Sequence, residues 1–352
     1  WSDIEVPLLA RPAWLIPAAI GIVFAGHAHA PMLGRLASGG VDVQLLETSG
    51  RGYRAEQAGV RAILSRMPRG IVHTHGYRAD VLHLSSANRL GRATVTTLHG
   101  FTGGDFKNRL YERLQRHAVR RADRVIAVSR ALAERMKRSG VSAERLAIVQ
   151  NAYAAPRRLA DRAAARSALG VAGDGWVIGF VGRLSAEKGA DLLLEAIARL
   201  SDLPLTVVFV GEGREAETLR ARAHSLGLGQ RVRWAGVVDD ASNLFRAFDL
   251  FVLSSRTEGT PIALFEAMSA EVPVVAAAVG GVPDVLGSAE ALLVEPERPD
   301  ELAAAIRRVY SDPEGARQRA AAAHQTLRAK FGVASWLEAY GRVYDSISRP
   351  GR

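Results

Sequence analysis

The stretch WVIGFVGRLSAEKGADLLLEAIARLSDLPLTVVFVGEG, residues 176–213, contains one complete unit of the fold. A short apolar run is followed by a glycine and a polar loop, an amphipathic segment comes next, and a second apolar run again ends at a glycine. Two such runs joined by a helical segment predict two parallel strands and their connecting helix. Both runs are almost continuously apolar, so we expect each strand to be covered on both faces.

The same alternation extends along most of the 352 residues and predicts two sets of parallel strands. The strands predicted in the first half are Val41–Glu47, Gly70–His75, Thr94–His99, Arg124–Val128 and Leu146–Gln150. Those predicted in the second half are Trp176–Val181, Leu205–Val210, Arg231–Ala235, Leu250–Leu253, Val272–Ala276 and Ala291–Val294. Helical patterns lie between them, including one near 241–248. The sequence therefore predicts an α/β protein with two doubly wound, Rossmann-like domains facing a central cleft.

The boundary between the two domains is predicted in a stretch rich in glycine and arginine. Residues 153–175 contain Pro156, three glycines and one short helical pattern, which is typical of a linker. We therefore predict a first domain over 1–152 and a second over 176–330. A C-terminal helix over 331–352 is expected to cross back to the first domain.

Composition excludes several classes of protein. Apolar residues make up 48% and charged residues 23%, which is a globular mixture and not that of a disordered, collagen-like or coiled-coil chain. The chain has no cysteine, so disulfides, thiolate metal sites and a cysteine nucleophile are excluded. This agrees with a reducing compartment, and we expect the protein in the cytoplasm.

Charge is distributed unevenly between the two halves. Residues 1–150 carry 22 Lys and Arg against 11 Asp and Glu, whereas residues 151–352 carry 24 against 25. A basic first half favours an anionic partner such as a membrane surface, an acidic glycan or nucleic acid. Within it, residues 107–138 carry 11 basic and 3 acidic side chains.

An amphipathic helix is predicted inside this basic stretch. Arg109, Arg113, Arg116 and Arg120 recur at helical spacing, and Leu110, Leu114 and Ala118 are expected to form a separate apolar stripe. Such a helix can rest on anionic lipid headgroups, although a solvated helix face is the alternative. No aromatic platform interleaves the arginines, which disfavours nucleic acid.

The N-terminal stretch allows two interpretations. Trp14–Ala25 is an apolar run that is too short to span a bilayer, and Ala28-His29-Ala30 after it resembles a signal cleavage site. Asp3 and Glu5 precede the run, which is unusual for a secretory signal. We therefore favour a buried strand.

The loop that follows the strand ending at Leu253 contains the strongest candidate site. In SSRTEGTPIALFEAM, residues 254–268, Thr260 is predicted to cap a helix that begins at Pro261. Free amides at a helix start, together with the helix dipole, form a site for an anion such as a diphosphate. The amides expected there are those of Gly259, Thr260, Ile262 and Ala263.

Four charged residues surround this predicted anion site. Glu258 and Glu266 would repel a phosphate, but both can accept hydrogen bonds from hydroxyls beside it, one on a sugar and one on a ribose. Arg183 and Lys188, in the loop after the strand Trp176–Val181, can converge on the same diphosphate. The alternatives are a capped helix with solvated glutamates and unrelated surface charges.

Two stretches carry a resemblance to a known family. FVGRLSAEKGADLLLEAI, residues 180–197, and FVLSSRTEGTPIALFEAMSAEVPVVAAAVGGVPDVL, residues 251–286, closely resemble the retaining glycosyltransferases of family 4, group 1, which have the GT-B fold. The resemblance extends from about Val41 to the end, and the pair Glu258 and Glu266 is its most specific element. It implies transfer of a sugar from a UDP-, GDP- or similar nucleotide sugar, with retained anomeric configuration and without a metal or other cofactor.

The resemblance also implies roles for individual residues. Arg183 and Lys188, next to Gly182, would hold the diphosphate. Glu258 would meet a hydroxyl of the donor sugar and Glu266 the ribose, while Val238 would meet the base through its main chain. Gly211-Glu212-Gly213 would line the same crevice.

In the first half, the resemblance places candidate residues after the strands. His99 matches a histidine of the family near the reacting carbon, so His99 and Glu258 are the catalytic candidates. His75, Gly103 and Gly104 are acceptor-side candidates, and a buried neutral histidine is the alternative for both histidines. His73 and His75 share a strand face but lack an obvious third ligand, so no metal site is expected.

Two departures from the family pattern stand out. Asn151 matches a family asparagine at the domain junction, but Ala152 replaces the usual glycine, so a structural role is expected. The Gly-rich loop that usually follows the first strand has no clear counterpart before Pro31, so the first domain is expected to be trimmed or its first strand diverged.

The sequence as a whole favours a glycosyltransferase that acts on a glycan or lipid-linked acceptor in cell-surface polysaccharide or glycolipid synthesis, placed peripherally on the inner face of the membrane. A nucleotide-sugar epimerase of the same fold, and a non-catalytic protein that binds a nucleotide sugar or an anionic membrane, remain as alternatives.

Overall fold

The structure is a computed structural model that describes residues 21–25, 38, 42–46, 52–100, 106–155, 159–171 and 173–348. Its described strands form a two-stranded, a four-stranded and a six-stranded sheet, and all strand pairs are parallel. The first two sheets belong to the first domain and the third to the second domain. Among the described residues, no helix combines the length and the apolar composition needed to cross a bilayer.

The first domain alternates strands and helices. Its strands are β1 (Gly21–Ala25), β2 (Asp42–Leu46), β3 (Ile71–His75), β4 (Ala93–Leu98), β5 (Arg124–Ala127) and β6 (Leu146–Ile148). Its helices are α1 (Tyr53–Arg66), α2 (Tyr77–Arg89), α3 (Phe106–Val119) and α4 (Arg130–Arg138), with a 3-10 turn at Ala143–Arg145. The strands β3 to β6 lie in chain order, so each βα unit adds one strand to the same edge.

The second domain contains the larger sheet. Its strands are β7 (Trp176–Val181), β8 (Leu205–Val210), β9 (Val232–Gly236), β10 (Leu250–Leu253), β11 (Val274–Ala277) and β12 (Leu292–Val294). Its helices are α5 (Arg162–Ala168), α6 (Ala190–Ala198), α7 (Ala216–Ser225), α8 (Ile262–Ser269), α9 (Val282–Val285), α10 (Pro299–Ser311) and α11 (Pro313–Lys330), with 3-10 turns at Ala186–Lys188 and Ala241–Ala247. The final helix, α12, spans Val333–Ser348.

The strand order of this sheet, β12-β11-β10-β7-β8-β9, reverses between β7 and β10. The chain builds outward from β7 through β8 and β9, then returns to place β10 on the other side of β7. Loops that follow the two central strands therefore diverge and leave a crevice at the carboxyl edge of the sheet. Neighbouring residues such as Val207 and Val208 belong to different core clusters, so both sheet faces are covered.

The predicted α/β class with two Rossmann-like domains is confirmed, and the strand bounds agree with the predicted ones within two residues. Part of the predicted strand Trp14–Ala25 forms β1, which pairs with β2, and the rest of that stretch lies outside the described residues. The helical pattern near 241–248 forms a 3-10 helix instead of an α-helix. Ser242, Phe245 and Phe248 are all buried, and this spacing of three matches the 3-10 period.

The predicted arginine and leucine faces of α3 are not separate. Arg109, Leu110, Arg113 and Leu114 are all exposed, whereas Ala118 is buried in the core. The leucines therefore lie among the arginines on one solvent-facing surface, because residues three apart, such as Leu110 and Arg113, are neighbours on a helix surface.

The segments before and after the second domain pack on different domains. In α5, the Arg166 side chain is buried and donates hydrogen bonds to the carbonyls of Ala247, Gly173 and Gly175, so this helix lies on the second domain. Helix α12 packs on the first domain, where its Tyr340 belongs to the same core cluster as Val95 and Ile126 of β4 and β5.

Asp249 connects α5 to the sheet of the second domain. Its carboxylate accepts hydrogen bonds from Arg162 (2.5 Å), Arg166 (2.9 Å) and the Val177 amide (2.8 Å). We expect Asp249→Ala to lower the free energy of unfolding by about 3 kcal/mol, because a buried guanidinium loses its carboxylate. Urea denaturation measures this, with Arg162→Ala as the matched control. The Arg162 side chain is 49% exposed, so the control should lose less than about 1 kcal/mol. Equal losses in the two variants would contradict the assignment.

Candidate functional site

The crevice between β7 and β10 brings together two of the predicted site residues. Lys188 ends the 3-10 turn after β7, and Glu258 lies in the loop after β10. The Lys188 Nζ atom donates to Glu258 Oε1 over 2.7 Å, and the Ser255 hydroxyl donates to the same oxygen over 2.6 Å. The Glu258 side chain is only 5% exposed, so the carboxylate is held in one orientation at the base of the crevice.

Helix α8 begins one residue later than the sequence suggested. Its first residue is Ile262, and Pro261 occupies the N-cap position with an extended backbone and no side-chain cap. The predicted cap by Thr260 is therefore wrong. Its hydroxyl instead donates to the Val128 carbonyl of the first domain over 2.8 Å. Thr260 thus lies one position before the N-cap, and its side chain contacts the first domain.

The four predicted amide donors consequently fall into two groups. Ile262 and Ala263 are the first residues of α8, where backbone N–H groups lack intrahelical partners, and Ile262 is 37% exposed. Thr260 is buried, and Gly259 packs so closely on His99 that a methyl group in its place would overlap the His99 carbonyl oxygen. The helix start therefore offers its amides from Ile262 and Ala263, while Gly259 and Thr260 contact the first domain.

Glu266 lies on α8, one turn beyond Ile262, and is half-buried. Residues four apart on a helix share a face, so the Glu266 side chain lies on the same face of α8 as that of Ile262. A group bound at the helix start would have Glu258 before it and Glu266 one turn beyond it.

The remaining donor-side candidates line the loops after β7, β8 and β9. Main-chain hydrogen bonds connect these loops, from the Gly182 amide to the Val210 carbonyl and from the Gly211 amide to the Gly236 carbonyl. Val238 is half-buried and packs on the core of the second domain. Arg183 has a side chain 71% exposed, with Nη1 3.9 Å from Glu187 Oε1. Its guanidinium is therefore accessible to a ligand.

In the first domain, the predicted histidines form a stack at the carboxyl edge of the sheet. His75 Nδ1 and His99 Nε2 lie 3.2 Å apart, within hydrogen-bonding distance. The rings of His73 and His75 stack with centroids 4.3 Å apart. His73 is held in turn by the hydroxyls of Thr97 and Tyr344, each 2.8 Å from a ring nitrogen. Tyr344 was not among the predicted site residues, although Trp336, Tyr340 and Tyr344 recur at a helical spacing of four.

The environment of the stack keeps its rings neutral. Burial, together with the neighbouring His75, lowers the pKa of His99 from its usual value to about 4. Burial also lowers the pKa values of His75 and His73. At neutral pH His99 can therefore donate or accept a hydrogen bond but carries no charge. No group of three or more potential metal ligands occurs in the part of the chain that the structure describes.

The remaining predicted positions are Asn151, Gly103 and Gly104. Asn151 donates from Nδ2 to the Thr260 carbonyl over 3.4 Å, so it connects the domain junction to the loop before α8. Gly103 and Gly104 lie outside the described residues.

Two parallel α/β domains that meet at the carboxyl edges of their sheets define the GT-B architecture, and comparison with known proteins agrees. Residues 161–326 match the family described as "Glycosyl transferases group 1", and residues 45–154 match "Glycosyltransferase Family 4". The chain belongs to the family 4, group 1 glycosyltransferases.

Two bacterial relatives carry the name glycosyltransferase. The putative teichuronic acid biosynthesis glycosyltransferase TuaC of Bacillus subtilis is 32% identical over 266 residues, 72% of this chain and 64% of that protein. D-inositol 3-phosphate glycosyltransferase 1 of Catenulispora acidiphila is 34% identical over 260 residues, 68% of this chain and 59% of that protein. The matched region thus spans less than two thirds of either relative.

Solved structures share the fold over a larger fraction of their length. HepE of Anabaena in complex with UDP-glucose has a TM-score of 0.81 and 24% identity, covering 92% of both chains. Sucrose-phosphate synthase of Thermosynechococcus elongatus has a TM-score of 0.77 and 20% identity, covering 93% of this chain and 98% of that one. At these identities the likeness concerns the fold.

The lowered pKa of His99 has a measurable consequence. Between about pH 4 and 6.5 the unfolded chain binds a proton at His99 that the folded chain does not, so this group makes the free energy of unfolding fall as the pH drops through that window. Ring NMR signals of His99 should show no titration near pH 6.5, in contrast to the denatured protein. In His75→Asn, the pKa of His99 should rise, because protonation of His99 is no longer disfavoured by charge on the neighbouring imidazole. A wild-type His99 that titrates near 6.5 would refute this description.

Proposed function

We propose that this protein transfers a sugar from a nucleotide diphosphate sugar to a glycan or lipid-linked acceptor, with retention of anomeric configuration. The observation that carries the proposal is the Lys188–Glu258 ion pair, which lies in the crevice beside the start of α8. Cationic groups and free amides there suit a diphosphate, and two flanking carboxylates suit hydroxyls. Retention rests on membership of the family.

The chemistry follows from the charges. As the bond between the anomeric carbon and the diphosphate breaks, the bonding electrons leave with the diphosphate and the sugar becomes cationic. The acceptor oxygen then bonds to the anomeric carbon, and its proton leaves with the nucleoside diphosphate product. Lys188, Arg183 and the amides of α8 would stabilise the leaving group, and each such contact would lower the barrier by on the order of 3 kcal/mol. We propose that these groups replace a metal ion.

Donor binding would rearrange the Lys188–Glu258 pair. A diphosphate attracts Lys188, which leaves Glu258 oriented by Ser255 and able to accept a hydrogen bond from a sugar hydroxyl. The exposed Arg183 would close over the diphosphate, and Glu266 would accept from the ribose. His99, being neutral, would hydrogen-bond a hydroxyl close to the reacting carbon, with His75 beside it on the acceptor side.

The relatives suggest which substrates to test first. Structures of HepE contain UDP or UDP-glucose, and TuaC is named for teichuronic acid biosynthesis, which points to uridine donors and to glycan acceptors. We propose a role in cell-surface polysaccharide synthesis, which accords with the name of TuaC, and we place the protein in the cytoplasm.

Replacement of the ion pair tests the proposal. Lys188→Ala and Glu258→Gln should each lower transfer at least 100-fold, because each removes a group that acts on the leaving diphosphate or the sugar. The measurement is nucleoside diphosphate release with a panel of nucleotide sugars and acceptors, with and without EDTA. Lys137→Ala is the matched control, since Lys137 forms an exposed ion pair of the same 2.7 Å length with Glu134.

Two outcomes would count against this function. Undiminished transfer by Lys188→Ala would show that the Lys188–Glu258 ion pair is not needed for sugar transfer. Donor binding without consumption in any acceptor mixture would favour a non-catalytic binding protein.

We also propose that α3 rests on an anionic membrane surface. Leu110 and Leu114 are 45% and 43% exposed and lie among Arg109 and Arg113. Apolar side chains enter the headgroup boundary while neighbouring arginines pair with anionic lipids. This surface would hold the acceptor domain close to a lipid-linked acceptor.

Vesicle co-sedimentation tests the membrane surface. Binding to vesicles with anionic lipid should exceed binding to neutral vesicles and should weaken with salt. The double variant Leu110→Asp/Leu114→Asp should abolish it. Ile148→Asp is the control, because Ile148 is an equally exposed apolar residue, 48%, on β6 of the same domain. Equal binding by the double variant and the wild type would refute the proposal.

A further inference from the structure

Asp284 belongs to the second domain but caps a helix of the first. It lies in α9, its side chain is 11% exposed, and its Oδ2 atom accepts a hydrogen bond from the backbone amide of Arg130 over 2.6 Å. Arg130 is the first residue of α4. The next free amides of a helix start also need acceptors, and the Ser129 hydroxyl accepts from Leu132 over 3.3 Å. The first turn of α4 is thus capped jointly by its own serine and by a carboxylate from the other domain.

The segment that carries Asp284 also contacts the Glu258 loop. Gly280 has φ of 55°, and a methyl group there would overlap the Glu258 carbonyl oxygen. At Gly281, a methyl group would overlap the Gly259 carbonyl oxygen and would approach the Ser129 Cβ atom to 3.0 Å. The turn is therefore packed between the loop before α8 on one side and the start of α4 on the other.

The contact between Asp284 and α4 is directed at the backbone. The Arg130 side chain is 81% exposed, and its Nε atom is 3.8 Å from Asp284 Oδ1. The amide is much closer, and a carboxylate is favoured at the positive end of a helix. From the first domain, Gln150 also donates to the Asp284 carbonyl over 3.2 Å. Asp284 is therefore held to the first domain at two points.

We propose that Asp284 is a positioning residue for sugar transfer: by capping α4 across the domain interface, it holds the Glu258 loop against the His99 end of β4. The inference rests on the proposed function. Asp284 lies on the interface side of this loop, whereas Lys188 and the first amides of α8 lie on the crevice side. Its loss should therefore impair the catalytic step more than the binding of the nucleotide.

Deleting either partner of the hydrogen bond tests the proposal. Asp284→Ala removes the acceptor, and Arg130→Pro removes the donor. Proline suits the first position of a helix, and Ser129 already has the extended backbone that precedes proline, with φ of −152° and ψ of 159°. Both variants should lower kcat about tenfold, the loss typical of one charge-assisted hydrogen bond, and should leave Kd for the nucleoside diphosphate within about twofold.

Two control variants separate positioning from a general loss of structure. Arg130→Ala retains the backbone amide and should match the wild type in kcat. Asp284→Asn retains an oxygen acceptor without the charge and should recover part of the loss. The double variant Asp284→Ala/Arg130→Pro should be no worse than either single variant, because both remove the same contact.

Small-angle X-ray scattering supplies a readout that does not depend on activity. Asp284→Ala and Arg130→Pro should increase the radius of gyration, whereas Arg130→Ala should not. A wild-type radius and wild-type kcat in Asp284→Ala would overturn the inference and leave the proposed function intact. A full loss of kcat in Arg130→Ala would also overturn it. If the wild type consumes no nucleotide sugar, the proposed function fails, and the scattering comparison alone decides whether Asp284 holds the domains together.

Discussion

The ion pair between Lys188 and Glu258 joins the two halves of the second sheet at the point where its strand order reverses. Each residue follows one of the two central strands, so the pair exists only because β7 and β10 are neighbours. A carboxylate with so little exposure requires a compensating charge and hydrogen bonds, which Lys188 and Ser255 supply. The same groups are arranged around the start of α8. The strand order of the sheet therefore also determines where the charges of the crevice lie.

Several contacts between the two domains involve backbone groups. Gly259 lies against the His99 carbonyl, Thr260 donates to the Val128 carbonyl, and Asp284 accepts from the Arg130 amide. Close approach of main chains leaves little tolerance for displacement, because hydrogen bonds weaken steeply with distance and angle. The loop that carries Glu258 is consequently part of the domain interface as well as part of the candidate site. Any change in domain arrangement would move Glu258 relative to His99.

Local patterns were sufficient for most of the fold, and they supplied the residues proposed for the candidate site. Continuous apolar runs identified the strands, and the spacing of Glu258, Glu266, Arg183 and Lys188 identified the loops. For two of the predictions that were wrong, tertiary packing decided the outcome. Thr260 was a reasonable helix cap by sequence, but α8 begins at Ile262, which makes Pro261 the N-cap, and the Thr260 hydroxyl donates to a carbonyl of the other domain. The segment 241–248 was expected to be α-helical but forms a 3-10 helix. Its three-residue period matches the spacing of the buried Phe245 and Phe248.

The sequence alone determined the alternation of strands and helices, the two-domain organisation and the residues that follow the central strands, because these depend on periodicity and on local backbone preferences. The tertiary structure decided which of those residues meet: Lys188 with Glu258, His75 with His99, His73 with the hydroxyl of Tyr344, and Asp284 with the start of α4. Such pairings join positions separated by as many as 271 residues. They depend on strand order and on the docking of one domain on the other, and no local pattern in the chain encodes that distance.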